Sequence, residues 1–186
     1  MNHPRVIAVS GVSGSGKTTI TGELSRRIPQ SAIISFDDIQ GDLLGMDYCD
    51  WSEAGADYNQ WNLTTLEKQL LSKFIPEYKN IFLDYPFGYG NRRIAAYIDT
   101  AIFIDIPLDI ALARQLIRDY GERDSSRRPI KDPMQAANTY LKFYLQRHRD
   151  TYIQHINTVK PYVDYVVDGT LPLHRIIDEI MIMLSY

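Results

Sequence analysis

Gly11, Gly16, Lys17 and Thr18 stand at the spacing G-x-x-x-x-G-K-[ST] inside the stretch SGVSGSGKTTI, directly after the apolar run RVIAV and ahead of a helical pattern. That pattern and its strand-before, helix-after context are those of a phosphate-binding loop. Glycines let the backbone curl around an anion, with its N–H groups turned inward and the following helix aiming its positive end at the phosphates. Gly11, Ser13, Gly14, Ser15, Gly16, Lys17, Thr18 and Thr19 are the expected nucleotide-binding residues. Lys17 would neutralise the β- and γ-phosphates, and the Thr18 hydroxyl would ligate magnesium.

Such a loop by itself leaves open a GTPase switch, an ATPase motor and a small-molecule kinase. The chain has no N-K-x-D guanine-reading segment, and its 186 residues leave no room for a motor's further subdomains. Other acids and bases then carry weight. ISFDDIQ ends the second apolar run with Asp37 and Asp38, at the carboxyl end where open α/β sheets bind ligands. A carboxylate there can orient an attacking hydroxyl and accept its proton. Strand alternation sends the two side chains to opposite sides, which favours Asp37 as the catalytic one. In IFLDYPFGYG, Asp84 follows a hydrophobic run and is the candidate for the magnesium shell. The stretch LDIALARQLIRDYGERDSSRRP supplies Arg114, Arg118, Arg123, Arg127 and Arg128. Arginines on a closing lid stabilise charge that develops during phosphoryl transfer, and Arg118 and Arg123 are the strongest candidates. Tyr58, Trp61, Tyr85 and Arg92 are candidates for the acceptor pocket, by stacking on a ring or, for Arg92, by meeting an acidic group.

The elements that must position these residues alternate. Apolar, β-branched runs at 5–11, 31–37, 80–86, 100–107 and 162–169 read as strands buried on both faces. Helical patterns fall at 17–28, 63–74, 108–120, 134–159 and 172–184, which predicts an α/β layered fold with parallel pairing. In the long helix Met134, Ala137, Leu141, Tyr144, Leu145, His148, Tyr152, Ile156 and Val159 fall at three- and four-residue steps and form an expected core stripe. Segments 39–61 and 121–132 fit neither pattern and are expected to be functional loops.

Composition narrows the classes. A 45% hydrophobic, 23% charged chain is that of an ordinary globular protein, and a net charge of −3 argues against nucleic acid as the main partner. No apolar run is long enough to cross a membrane, and the first residues lead straight into a strand without a signal-peptide pattern, so a cytoplasmic protein is expected. The single cysteine, Cys49, excludes an intramolecular disulfide. His3, His148, His155 and His174 have no metal-ligand spacing and are expected to be exposed or partly packed. Nothing in the composition fixes the assembly state, which leaves a homo-oligomer possible.

The stretches VSGVSGSGKTTI, IISFDDI, IFIDIPLDIALARQLIRD, RDYGERD and YIQHINTVKPYVDYVVDG together resemble the uridine kinase family and its nicotinamide riboside kinase relatives over nearly the whole chain. The resemblance implies a single P-loop kinase domain over residues 1–186. Its fold would be the three-layer α/β/α fold of P-loop nucleoside triphosphate hydrolases, with a five-stranded parallel sheet and a helical lid over about 114–132. It implies ATP with magnesium, and a small-molecule hydroxyl acceptor, the 5′-hydroxyl of a nucleoside. By position it assigns Lys17 and Thr18 to ATP and magnesium, Asp37 to the catalytic base, and Arg118 and Arg123 to the lid. Asn62 falls where relatives tend to have an aspartate contacting the sugar hydroxyls, and Asp38, Trp61, Tyr85 and Arg92 complete the expected acceptor pocket. The sequence departs from the family at Asp84-Tyr85 in place of Glu-Gly, at Asp124 and Ser125 in the lid motif, and at Asn62. A kinase for another small acceptor (a sugar acid, a nucleotide or an antibiotic) and a nucleotide-dependent binding switch are the alternatives.

Overall fold

The computed structural model describes residues 4–43, 47–121 and 130–186. Five strands, β1 (Arg5–Ser10), β2 (Ser31–Ser35), β3 (Asn80–Asp84), β4 (Thr100–Asp105) and β5 (Tyr165–Asp168), form one sheet in the order β2-β3-β1-β4-β5. All four pairings are parallel. Parallel strands need crossovers, and helices supply them. α1 (Lys17–Arg27) joins β1 to β2. α2 (Tyr48–Glu53), α3 (Thr64–Gln69) and α4 (Ile75–Glu77) lie between β2 and β3. α5 (Arg92–Ala95) precedes β4, and α6 (Leu108–Tyr120), α7 (Pro133–Phe143) and α8 (Arg149–Val159) precede β5. α9 (Leu173–Met183) closes the chain.

The pleat sorts the core into two layers. Ile7, Val9, Phe82, Ile102 and Ile104 face α1 and α9, where they meet Ile20, Leu24 and Ile177. The alternate residues Val6, Ala8, Leu83 and Phe103 face the other way, toward Leu63, Leu66, Leu70 and Val159. Both faces are apolar because both are covered, which explains the near-continuous hydrophobic runs of the strands. Of the segment 39–61, which has no period of its own, residues 47–61 join this second layer through α2 and a 3-10 turn at Tyr58–Gln60. Trp51 is anchored there by Nε1–H donating to the Asp57 carbonyl at 2.9 Å.

Register sets the site. Asp84 lies opposite Val9 of β1 and Ser35 of β2, so three carboxyl ends finish level and release their following loops on one edge. β2 stops at Ser35, two residues before the expected end, because Phe36–Leu43 winds into a 3-10 turn. The long helix also differs from expectation. Between α7 and α8 it passes through a π turn at Tyr144–His148, closed by the Arg149 N–H donating to the Tyr144 carbonyl five residues back. A π turn carries one extra residue and rotates the downstream part of the helix about its axis. Leu145 is 74% exposed and Met134 76%, outside the predicted stripe, whereas Thr151 and His155 are buried beside Tyr152 and Val159. The expectation that the histidines are exposed or partly packed fails for His155, which lies three residues after Tyr152 and four before Val159 on the buried side of α8.

Candidate active site

The loop between β1 and α1 is held tightly enough to exclude side chains. Gly14 sits at φ +82, and a Cβ built on it would lie 2.2 Å from the Ala111 carbonyl of α6. Gly11, at φ +144, leaves only 2.9 Å to the Ile104 carbonyl. Only glycine tolerates both the dihedral and the approach. The Lys17 ammonium donates to the Gly11 and Val12 carbonyls at 3.0 and 3.1 Å, bridging the loop it follows. Burial pushes its pKa down from the ordinary value, while the carboxylates of Asp84 and Asp37 pull it back up.

A cleft of about 790 Å³ opens at this edge of the sheet, lined on one side by loop residues Gly11 to Gly14 and Gly16 to Thr19. On its floor the Thr18 hydroxyl donates to Asp84 Oδ2 at 2.5 Å. Asp84 is 5% exposed, and burial raises its pKa against the opposing pull of the Thr18 bond and the Lys17 charge. A hydroxyl and a carboxylate in contact form a hard oxygen pair suited to magnesium, which keeps several waters and takes its remaining ligands from phosphates. Among the described residues no group of three His, Cys, Asp or Glu could hold a metal ion.

Asp37 lines the cleft from the first turn after β2, and its charge reaches both Lys17 and Arg118. Asp38 does not line it, although its charge is felt by Asp84. The two part company because of the 3-10 turn, not the strand alternation invoked from sequence. Arg114 and Arg118 of α6 also line the cleft. Arg114 donates to the Gly169 carbonyl at 3.2 Å, and Arg118 makes a two-point bond to Asp119 at 2.8 and 3.0 Å. Arg123, Arg127, Arg128, Asp124 and Ser125 lie outside the described residues, as does the middle of the lid expected over 114–132.

The expected acceptor residues divide. Trp61 lines the cleft, with Phe36 and Phe87 against it at ring separations of 6.1 and 5.3 Å. Tyr85 does not; it is 1% exposed and packs behind Phe87 at 5.3 Å, so it is core. Asn62 is exposed and accepts from the Thr64 N–H and hydroxyl at 3.2 and 2.8 Å, so its side chain serves the start of α3. Arg92 is exposed at the first turn of α5 and does not line the cleft; its neighbour Asn91 is buried, with its amide donating to the Tyr58 carbonyl at 2.8 Å. Ser15, expected at the nucleotide, is 1% exposed and tucked beneath the loop against Gly11. Sequence reasoning missed Phe36, Tyr48, Phe87, Tyr152 and His155, all of which line the cleft. The one sequence signal for Tyr48 was the aromatic content of the unassigned segment 39–61.

Solved structures share this architecture. A shikimate kinase from Aquifex aeolicus matches 97% of the chain and 96% of its own at a TM-score of 0.55 and 22% identity. A sugar kinase from Janibacter sp. HTCC2649 matches 98% and 95% at 0.59 and 19%. A glycine loop closed by lysine, at the level ends of a parallel sheet in this fold, defines a P-loop protein. The family model described as phosphoribulokinase / uridine kinase matches residues 60–161, more than half of the chain, and the chain belongs to that family. Two uridine kinases are among its relatives. That of Borrelia garinii subsp. bavariensis is 24% identical across 88% of this chain and 85% of its own. That of Leuconostoc citreum is 28% identical across 88% and 87%. The protein is a kinase that acts on a hydroxyl group of a small molecule.

Proposed function

We propose that this kinase transfers the γ-phosphoryl group of ATP to a hydroxyl of a nucleoside. One observation carries the reading: Asp37 and the aromatic surface of Phe36, Trp61 and Phe87 line the same cleft as the phosphate loop. A flat heterocycle can stack on such a surface while its sugar hydroxyl approaches the carboxylate. The uridine kinase relatives support the same substrate class, and Arg92, the residue that favoured an acidic acceptor, is not among the residues that line the cleft.

In this reading the loop amides and Lys17 hold the phosphate tail, and Asp37 orients the acceptor hydroxyl and takes its proton as the oxygen attacks. Arg114 and Arg118 line the cleft, where they would meet charge on the transferring group. Thr18 and Asp84 would hold magnesium, which supplies charge neutralisation on the phosphates. Alignment and electrostatics supply most of the rate in this chemistry. A cytoplasmic setting, where ATP and magnesium are at hand, goes with the proposal.

The test is to incubate the protein with ATP, magnesium and a panel of nucleosides, sugars and sugar acids, and to identify by mass spectrometry which acquires phosphate. A phosphorylated nucleoside is expected, with no product from Lys17→Ala. Slow ATP hydrolysis that no small acceptor stimulates would refute the kinase assignment of the cleft and favour a switch.

A further inference from the structure

Several polar side chains of the cleft neither hold phosphate nor orient the attacking hydroxyl, Ser35, Tyr48, Tyr152 and His155 among them. His155 of α8 is 2% exposed yet lines the cleft. It sits at the aromatic end, with ring centroids 6.4 Å from both Tyr48 and Phe87.

Its proton can be located from its neighbours. His155 Nδ1 lies 3.3 Å from the Tyr58 hydroxyl, which lies 2.7 Å from Thr158 Oγ1. Thr158 Oγ1 also lies within donating distance of two backbone carbonyls of its own helix, Gln154 at 2.9 Å and His155 at 3.2 Å. When its one hydrogen serves either carbonyl, it accepts from Tyr58. Tyr58 then accepts from His155, an arrangement that pairs all three groups and puts the imidazole proton on Nδ1. Burial and the nearby Lys17 charge hold the ring neutral, with its pKa lowered to about 3 against a weaker opposing pull from the Pro86 backbone. A neutral ring protonated at Nδ1 presents a bare lone pair at Nε2. That nitrogen makes no hydrogen bond with any described residue. A buried acceptor left without a donor is costly, and a ligand that supplies the donor removes the cost.

We propose that His155 Nε2 is a specificity-determining acceptor that receives a hydrogen bond from a hydroxyl or ring N–H of the phosphoryl acceptor. The inference rests on the reading that the acceptor occupies the aromatic end of the cleft. A nucleoside carries both kinds of donor, on its ribose and on its base. A molecule presenting only lone pairs at that point is rejected, because two acceptors then face one another in a buried site.

The experiment compares wild type, His155→Phe and His155→Gln on the nucleoside best turned over and on its 2′-deoxy, 3′-deoxy and ring N-methyl analogues. The phenyl ring keeps the packing and loses the acceptor; the glutamine amide oxygen restores one. Expected is a rise of about tenfold in KM for the acceptor in His155→Phe, with KM for ATP unchanged and most of the loss recovered in His155→Gln. One analogue should lose about tenfold in kcat/KM with wild type, and lose nothing further with His155→Phe, since the bond is already absent. Equal damage to the ATP and acceptor KM values, or the same loss for every analogue in variant and wild type, would overturn the proposal. If wild type phosphorylates no nucleoside, the nucleoside reading fails by itself. The same comparison on the hydroxyl acceptor that is turned over then decides His155, and equal losses again reject it.

Discussion

Replacing His155 by glutamine removes a titrating group whose folded and unfolded states differ widely in proton affinity. The native ring takes up a proton only near pH 3, against an ordinary value of 6.5, because charging it would bury a cation next to Lys17. Below pH 6.5 the unfolded chain therefore binds a proton that the native protein refuses, and stability falls as the pH drops. Integrated from pH 7 to pH 5, that uptake amounts to about 2 kcal/mol, and the figure holds for any native value below about 4. Glutamine does not titrate, so His155→Gln should lack this component while keeping the pH dependence of every other group. The assay is urea unfolding of the nucleotide-free protein at pH 7, 6 and 5, with stability extrapolated to zero denaturant. Wild type should lose about 2 kcal/mol more than the variant over that interval. Parallel losses, agreeing within about 0.5 kcal/mol, would show that the native ring charges in place and that its buried, neutral description is wrong.

Three further outcomes are expected at the site. Gly14→Ala should lower ATP affinity at least tenfold by equilibrium titration, on the order of 1.4 kcal/mol, because the new methyl meets the Ala111 carbonyl and forces the loop open. Asp84→Asn should leave the melting temperature unchanged or higher, since it removes a buried charge, while turnover falls and the magnesium needed for half-maximal rate rises. Asp37→Asn should cut kcat by about 10² to 10⁴ with KM for ATP within about threefold, read from initial rates at varied ATP.

Much of the framework was legible because it depends on local pattern. Buried parallel strands must be apolar on both faces, so their runs stand out, and the glycine loop is visible because few residues survive φ +82 against a carbonyl. Asp37, Asp84, Lys17 and Thr18 could be nominated from where they fall after those runs. The acceptor end was far less legible. Asn62, Arg92 and Tyr85 have the chemistry of ligands, but the turn at Asn91 and the start of α3 direct the first two elsewhere, and aromatic packing claims the third. The bond from Asn91 to Tyr58 spans 33 residues, which no window of neighbouring residues encodes, whereas Asn62 and Tyr85 are claimed by neighbours two residues away. His155 was hidden differently. The π turn at Tyr144–His148 leaves Leu145 exposed, yet His155, three residues after Tyr152 and four before Val159, keeps ordinary helical spacing on the buried side and reads as core.

That turn makes the length of the helix, and not only its composition, a determinant of the enzyme. Excising any one of its five residues, 144–148, would rewind the segment as a regular α-helix and swing everything downstream by about 100° about the axis. Tyr152 and His155 would leave the cavity together, although neither had been mutated. Among relatives, a one-residue gap at this point should therefore travel with a change of acceptor.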